Sequence, residues 1–280
     1  MPRLGKYNRL KIIKTVDFGL YLDGGEEFGE VLLPTRYIPE GVSEGDLLRV
    51  FLYRDSEDRV IATTEKPYAE VDGFAYLKVS AVNNLGAFLD WGLMKELLLP
   101  FSEQKGRVKV GDWCSVYIYL DEKSGRLVAS ERLGRFLSEE PPSYRINQEV
   151  RLFIYDETPE AFRAIINNSH TGLLYKNEVF VPLEKGRRIR GYIKKLREDS
   201  KIDLSLQKSG YKGNVLPAAS AILEKLKESE GYIPLTDKSP PKEIYRIFGF
   251  SKKNFKKAVG NLYRKRLIRL EEDGIYLIDE

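Results

Sequence analysis

Aromatic side chains placed next to glycine are the residues whose chemistry stands out in this chain. Phe18 and Tyr21 flank Gly19, and Phe88 follows Gly86 in a related segment. Flat rings stack on nucleic-acid bases, worth about 1–3 kcal/mol per base, while lysine and arginine neutralise the phosphates. Phe18, Tyr21 and Phe88 are therefore candidates for stacking on the bases of a single-stranded nucleic acid.

A later segment combines two more rings with a dense set of cations. Tyr175 is a further stacking candidate, and Phe162 is its candidate partner. The cations of this segment are Lys176, Arg187, Arg188, Arg190, Lys194, Lys195 and Arg197. We expect this segment to bind more strongly than the two earlier ones. The alternative is that the rings pack in a core or at its rim and that the cations only keep the surface solvated.

Basic residues also concentrate near the C-terminus, where an apolar stripe has helical spacing. Phe255, Ala258, Val259 and Leu262 recur three or four residues apart, which predicts a helix over 252–266. The cations of this helix are Lys252, Lys253, Lys256, Lys257, Arg264, Lys265 and Arg266, with no acidic residue among them. Such a helix is suited to a phosphate backbone, and its binding should fall steeply with salt. The alternative is a solvated face balanced by the acidic residues at 271–273.

The overall charge is modest, but the two halves of the chain differ. Residues 1–140 hold 19 basic and 23 acidic side chains, whereas residues 141–280 hold 27 basic and 19 acidic ones. The second half therefore has a net charge of +8 and favours a polyanionic partner. The mildly acidic first half suits a protein partner better.

The elements that position these residues form a threefold repeat. Gly45, Gly111 and Gly186 each begin an apolar run, which leads through an acidic turn to a basic residue 14, 15 and 15 positions later. Each copy predicts a β-hairpin, and repetition at this period indicates tandem domains. Around each hairpin the sequence predicts about five short strands. The predicted units are 1–66, 67–140 and 141–208.

The end of the chain has a different pattern. A linker at 208–213 is followed by three helical segments and a terminal hairpin around the turn at 271–274. The second helix follows Pro240 and Pro241, Gly249 ends it, and Ser251 caps the third. Helix, helix, helix and hairpin is the order of a winged helix-turn-helix, predicted over 214–280.

The repeats resemble the OB-fold, and more narrowly its S1-type RNA-binding module. That module carries Phe-Gly-x-Phe on its second strand and ends in a Leu-Ser signature. The corresponding segments here are Phe18-Gly19-Leu20-Tyr21, Leu85-Gly86-Ala87-Phe88 and Leu204-Ser205-Leu206-Gln207-Lys208. The resemblance implies three five-stranded barrels. It also assigns Tyr175 to a position where the module often has histidine, with Leu32 and Leu98 there in the first two repeats.

Three such barrels followed by a winged helix resemble the CvfB (virulence factor B) family of bacterial RNA-binding proteins. The resemblance extends over nearly the whole chain and rests mainly on the architecture. The expected fold is mainly β and multidomain, with three tandem OB barrels and an α+β winged helix. The family implies a post-transcriptional or virulence-related role.

Other function classes find little support in the composition. The chain has one cysteine, Cys114, and one histidine, His170, in a predicted polar loop. Phosphate-binding loops, dinucleotide fingerprints and nucleophile elbows are absent from the sequence. We therefore expect no cofactor, no metal and no enzymatic activity. The longest apolar runs have about five residues, far short of the ~20 that span a membrane, and with no signal peptide visible we expect a cytoplasmic protein.

The expected function is RNA binding through the barrels and the basic helix. One alternative is a DNA-binding transcription regulator that reads duplex DNA with its winged helix. The other is a scaffold whose surfaces bind a ribosome, polymerase or nuclease.

Overall fold

The computed structural model of the protein describes residues 1–179, 181–199, 201–208 and 217–278. Most of the predicted linker (209–213) and Ser200 of the third hairpin turn lie outside these residues. The chain divides into two compact units, 1–137 and 138–280. Three closed five-stranded barrels and a small helical domain with a three-stranded sheet confirm the predicted fold class.

The first barrel closes in the order β1-β2-β3-β5-β4, with β3 and β5 parallel. Its strands are β1 (Tyr7–Val16), β2 (Gly19–Asp23), β3 (Glu30–Pro34), β4 (Leu47–Arg54) and β5 (Val60–Thr63). A short helix, α1 (Gly25–Phe28), connects β2 to β3. Alternate residues such as Leu20, Leu22, Val31 and Leu33 point inward and form the core.

The second barrel repeats this arrangement. Its strands are β6 (Gly73–Val82), β7 (Gly86–Asp90), β8 (Leu97–Pro100), β9 (Trp113–Asp121) and β10 (Arg126–Ser130). A 3₁₀ turn (Phe101–Glu103) follows β8, and another (Leu133–Phe136) follows β10. Cys114 is buried here, and burial raises the pKa of its thiol to about 12. The thiol is therefore an inert part of the core.

The third barrel has the same strand order. Its strands are β11 (Glu149–Glu157), β12 (Ala161–Ile166), β13 (His170–Tyr175), β14 (Arg188–Leu196) and β15 (Ile202–Ser205), with a 3₁₀ turn (Lys176–Glu178) after β13. His170 is the first residue of β13 rather than a loop residue. Its Nδ1 lies 2.9 Å from the Tyr144 hydroxyl and its Nε2 lies 2.9 Å from the Glu140 carbonyl oxygen. These contacts give His170 a structural role.

The hairpin glycines have the same conformation in all three barrels. Gly45, Gly111 and Gly186 have φ of +94°, +93° and +87°. Each of these glycines donates its N–H to a carbonyl on the first strand of its barrel. The acceptors are Ile12 (2.9 Å), Val79 (2.9 Å) and Ile154 (2.7 Å). A positive φ favours glycine. The glycine recurs in all three repeats because each hairpin needs a residue with positive φ at this position.

The C-terminal domain contains α2 (Pro217–Glu228), α3 (Pro241–Phe248) and α4 (Lys252–Arg264). Its sheet consists of β16 (Tyr232–Ile233), β17 (Ile268–Leu270) and β18 (Ile275–Leu277) in the order β16-β18-β17. Gly249 ends α3 with φ +72°, and the Ser251 hydroxyl accepts the N–H of Asn254, as predicted. Helix α4 ends two residues before the predicted position, and Arg266 has φ +57°. Strand β16 was not predicted.

Candidate nucleic-acid interface

The first barrel presents two neighbouring rings, Phe18 just before its second strand and Tyr21 on that strand. Phe18 is 58% exposed and Tyr21 is half-buried, with ring centroids 6.3 Å apart and planes at 85°. Lys14 lies opposite Tyr21 on β1, with its Nζ 4.7 Å from the Tyr21 ring centroid. An exposed ring beside a cation is the arrangement that single-strand binding proteins use.

Carboxylates accompany the cations near this pair of rings. Lys14 Nζ lies 2.7 Å from Glu30 Oε2. Arg59 contacts Asp55 at 2.8 Å and Glu57 at 3.2 Å, and the hydrogen bond with Asp55 raises the pKa of Arg59. These pairs are exposed to solvent and contribute little to stability. A phosphate group that bound Lys14 or Arg59 would compete with its carboxylate partner.

The second barrel retains one ring at the equivalent position. Phe88 pairs with Ala81 and Leu98, just as Tyr21 pairs with Lys14 and Leu32. Phe88 is half-buried. Leu85 occupies the place of Phe18 and is 59% exposed, so this surface is apolar but offers one ring only.

The third barrel has no ring at this position. Its equivalent residue is Arg163, which pairs with Asp156 and Leu173 across the same β-bulge. Phe162 lies one residue earlier, where the other barrels have core residues, and is only 9% exposed. The Phe162 ring is thus part of the barrel core and is not presented for stacking on a base, in contrast to the sequence-based prediction.

Tyr175 also lies at a different position from the predicted one. It pairs with Ala161, as Pro34 pairs with Gly19 in the first barrel. The residue equivalent to Leu32 and Leu98 is Leu173, which aligns with β15 as Leu32 aligns with β5. Tyr175 therefore lies two residues after the position that the resemblance to the S1-type module assigned to it.

The half-buried ring of Tyr175 is held by its neighbours. Arg197 donates a hydrogen bond to the Tyr175 hydroxyl and another to Asp203 Oδ2 at 3.1 Å. The bond with Asp203 raises the pKa of Arg197. Tyr175 and Arg197 are therefore tied into the barrel wall rather than presented as a separate ring and cation.

Most predicted cations of the third barrel have partners. Lys176 contacts Glu157 at 2.7 Å, Lys194 contacts Glu178 at 2.5 Å and Arg190 contacts Glu149 at 3.5 Å. Arg187 donates to the Pro182 carbonyl at 2.9 Å, and the Arg188 guanidinium lies 4.9 Å from the Phe153 ring centroid. The local positive potential is weaker than the cation count suggests, because carboxylates neutralise a large part of it.

Helix α4 carries cations of two kinds. Lys253, Lys257 and Arg264 are exposed and form no ion pair within the described part of the chain. Lys256 lies 3.5 Å from Asp237, and Lys252 donates to the Lys238 carbonyl at 3.1 Å. The Lys265 ammonium is buried without a hydrogen-bond partner in the described structure and is not presented to a ligand there, in contrast to the sequence-based prediction.

The first turn of α4 lies against the third barrel within the second unit. Asn254 Nδ2 donates to the Asn177 carbonyl oxygen at 2.5 Å. In helix-turn-helix proteins the N-terminal residues of the recognition helix contact base edges in the major groove. Here the protein itself contacts that end of the helix. The later part of α4, with Lys257 and Arg264, remains exposed.

Another exposed ring pair was not predicted. Trp113 begins β9 opposite Lys78, is 54% exposed and stacks on Tyr76 at 5.2 Å and 25°. Leu47 and Arg188 begin the equivalent strands of the other barrels. The position itself therefore did not indicate an exposed ring. The signal in the sequence was the tryptophan, which lies two residues after the hairpin glycine Gly111.

Among the described residues, no helix has the length and apolar character to cross a membrane. Within the same residues, histidine, cysteine and carboxylate side chains form no group that could hold a metal ion.

Comparison with known families identifies the domains. An S1 domain family matches residues 4–65 and 73–131, and the CvfB-like winged helix domain family matches residues 220–277. The third barrel is outside these matches. Its strand β12 has Ala161 and Arg163 where the second strands of the other barrels have glycine and an aromatic residue. S1 and winged helix domains indicate nucleic-acid binding.

Several proteins are similar over most of their length. Uncharacterized protein YitL of Bacillus subtilis (strain 168) is 26% identical over 98% of this chain and 93% of its own. Conserved virulence factor B of Staphylococcus aureus (strain USA300) is 26% identical over 83% of this chain and 80% of its own. A crystal structure from Streptococcus pneumoniae TIGR4, described as a multidomain protein with nucleic acid binding domains, is 24% identical and covers 98% of both chains, with a TM-score of 0.44.

Proposed function

We propose that this chain, which belongs to the CvfB family of proteins with S1 domains and a winged helix, is a non-enzymatic, cytoplasmic RNA-binding protein. Its role is post-transcriptional, and it captures single-stranded or structured RNA along its tandem barrels. The name of the staphylococcal relatives, conserved virulence factor B, extends the proposal to virulence-related transcripts.

The Phe18 and Tyr21 pair carries the proposal. Phe18 is exposed at a position where bases can stack, and Lys14 lies within reach of the adjoining phosphate. Each base stacked on such a ring contributes about 1–3 kcal/mol. Flat rings accept any base, so the binding we propose has little sequence preference at this site.

The geometry favours the first barrel over the third as the main stacking site. In the third barrel the ring at the Tyr21 position is replaced by Arg163, and Phe162 is buried. Tyr175 is bonded to Arg197, and Lys194 is paired with Glu178. This order reverses the sequence-based expectation.

Several weak sites on one chain can give substantial affinity. Once one barrel holds an RNA strand, the next binding event becomes intramolecular, which raises the total affinity without new contacts. The exposed cations of α4 add phosphate contacts, so affinity should fall as salt rises. The barrels and α4 therefore act together in the proposed mechanism.

Duplex DNA is the second candidate ligand, because Lys253, Lys257 and Arg264 lie exposed on one helix without ion pairs in the described structure. Against it stands the contact of Asn254 with Asn177, which involves the turn that would enter a major groove. We therefore rank RNA first.

Fluorescence anisotropy with the full-length chain tests the proposal. The probes are a labelled single-stranded RNA of about 24 nucleotides and a labelled DNA duplex of about 12 base pairs, which carry nearly equal charge, both at one salt concentration. We expect tighter binding of the RNA. Tighter binding of the duplex, abolished by K253E/K257E, would support the DNA alternative instead.

A further inference from the structure

A cavity of about 550 Å³ opens on the second barrel. It is lined by Val82 at the end of β6, by Phe101 and Gln104 after β8, and by the loop that follows. The loop residues are Lys105, Gly106, Arg107 and Val108. Sites for small ligands have volumes of about 300–1,000 Å³, so the cavity is large enough for one nucleotide.

The lining combines an aromatic ring with two cations. Phe101 is 48% exposed, which leaves part of its ring open to a ligand. Lys105 and Arg107 are exposed, and neither side chain forms an ion pair within the part of the chain that the structure describes. Unlike Lys14 and Lys194, these cations can meet a phosphate without displacing a carboxylate.

Hydrogen bonds hold the cavity wall in place. Gln104 is only 6% exposed, and its Nε2 donates to the Leu99 carbonyl oxygen at 3.1 Å. The backbone N–H of Lys105 donates to Glu131 Oε2 at 3.0 Å. The loop is thus fixed at both residues, which lowers the entropic cost of ordering it around a ligand.

The cavity adjoins the surface around Phe88. Val82 follows Ala81, which pairs with Phe88, and Phe101 follows Pro100, which pairs with Gly86. The cavity lining and Phe88 thus belong to neighbouring positions on the same paired strands.

The same loop in the first barrel has one cation, Arg36, whose guanidinium lies 4.6 Å from the ring centroid of the buried Tyr37. Counted from the equivalent prolines Pro34 and Pro100, Phe101 corresponds to Thr35, and Lys105 and Arg107 correspond to Pro39 and Gly41. The first barrel thus offers two rings and a single cation in this loop, whereas the second offers one ring and a cavity with two cations. The two barrels are complementary rather than redundant.

We propose that the cavity beside Phe101 binds one nucleotide of an RNA strand, with the base against the Phe101 ring and its phosphate at Lys105 and Arg107. This inference rests on the proposed RNA-binding function. It assigns the second barrel a binding subsite of its own, outside the stacking surface on the second strands.

Charge-matched variants of the full-length chain test the subsite. K105E/R107E removes the two cavity cations, and K109E/K123E makes the same change of charge at exposed positions outside the cavity. The probe is a fluorescein-labelled single-stranded RNA of ten nucleotides. Affinity is measured by anisotropy at several salt concentrations, and circular dichroism checks folding.

We expect K105E/R107E to weaken binding at least tenfold and the control to weaken it less than threefold. The slope of log affinity against log salt should become shallower by about 0.7 for each lost phosphate contact on a single strand. Phe101→Ala should weaken binding about tenfold and leave the salt slope unchanged, since a ring contributes stacking and no charge.

Photocrosslinking with a 4-thiouridine-substituted version of the same RNA gives a second readout that needs no variant. Crosslinks in the peptide containing Phe101 and Arg107 support the subsite. If the wild type binds the RNA but the two double variants are equally weak and this peptide is not crosslinked, the subsite is overturned while the proposed function stands. If the wild type does not bind single-stranded RNA, both fail.

Discussion

Arg126 of the second barrel donates a hydrogen bond to the carboxylate of Asp58 in the β4–β5 turn of the first. Beside it, Arg54 Nε donates to the Gly125 carbonyl at 3.0 Å, and Lys95 donates to the Asp55 carbonyl. In OB barrels this loop between strands four and five is one of the ligand-binding loops. In the first barrel it is occupied by protein contacts, which leaves the second-strand rings as the main open surface.

The pair of Asp58 and Arg126 predicts a pH-dependent contribution to stability. The hydrogen bond from Arg126 holds the pKa of Asp58 below its ordinary value. A carboxyl with a lower pKa in the folded state stabilises the fold fully above its unfolded pKa of about 4, and this contribution is lost as pH falls through the folded pKa. We expect Asp58→Asn to lower the melting temperature slightly at pH 7, because the pair is partly exposed, and to have a smaller effect at acidic pH.

Thermal unfolding followed by circular dichroism at both pH values measures this difference. Glu122→Gln is a suitable control, because Glu122 is an exposed carboxylate in the neighbouring hairpin. An equal effect of Asp58→Asn at both pH values would show that the ionised pair does not contribute.

The ring pair of the first barrel predicts the largest loss of RNA affinity among the barrel variants. Phe18→Ala/Tyr21→Ala removes both rings and should weaken binding of a ten-nucleotide RNA by about 10–100-fold, since each stacked base contributes about 1–3 kcal/mol. Tyr68→Ala removes an equally exposed ring (64%) from the segment after β5 and should change affinity little. Anisotropy titrations of the two variants at one salt concentration make the comparison.

The same titrations test the ranking of the barrels. Tyr175→Ala/Arg188→Glu should weaken binding less than Phe18→Ala/Tyr21→Ala, because Tyr175 is bonded to Arg197 and lies two residues from the predicted position. A larger loss for the Tyr175 variant would restore the third barrel as the main site.

The contrast between these barrels explains what the sequence could and could not predict. The hairpins were predictable because Gly45, Gly111 and an alternating apolar pattern are local signals. The ring positions in the third barrel were not, because they depend on which residues pair across strands. The turn between β12 and β13 has three residues, whereas the turns after β2 and β7 have six each, and this difference misaligned Tyr175.

The ion pairs of the third barrel also depend on which strands pair, so the sequence could not predict them. Lys194 and Glu178 are 16 residues apart, and Lys176 and Glu157 are 19 apart, so neither pair is visible until the strands are placed. Counting cations along the sequence therefore overestimated the positive potential of the third barrel.

We expect two adjacent lysines of helix α4, Lys256 and Lys257, to contribute unequally to RNA affinity. Lys257 has no ion pair in the described structure, whereas Lys256 lies 3.5 Å from Asp237. Lys257→Gln should weaken RNA binding several-fold and make its salt dependence shallower, whereas Lys256→Gln should have a smaller effect because a carboxylate already offsets its charge. Anisotropy at three salt concentrations distinguishes the two, and equal losses would mean that the pair with Asp237 does not matter in solution.

Gly86, the first residue of β7, lies too close to the neighbouring strand to carry a side chain. A Cβ there would lie 2.3 Å from the Leu99 carbonyl oxygen, which belongs to the adjacent strand and cannot move aside without disturbing the barrel. We expect Gly86→Ala to destabilise the fold by about 1–3 kcal/mol, the range of a typical damaging substitution. Gly134→Ala, where a Cβ meets nothing within 4 Å, should be close to neutral. Chemical denaturation of the full-length chain measures both.

The third barrel shows that alanine can occupy this position, because Ala161 pairs with Tyr175 as Gly86 pairs with Pro100. A neutral effect of Gly86→Ala would therefore contradict the prediction. It would mean that β7 can shift toward the arrangement of β12 and that the close approach to Leu99 does not require glycine.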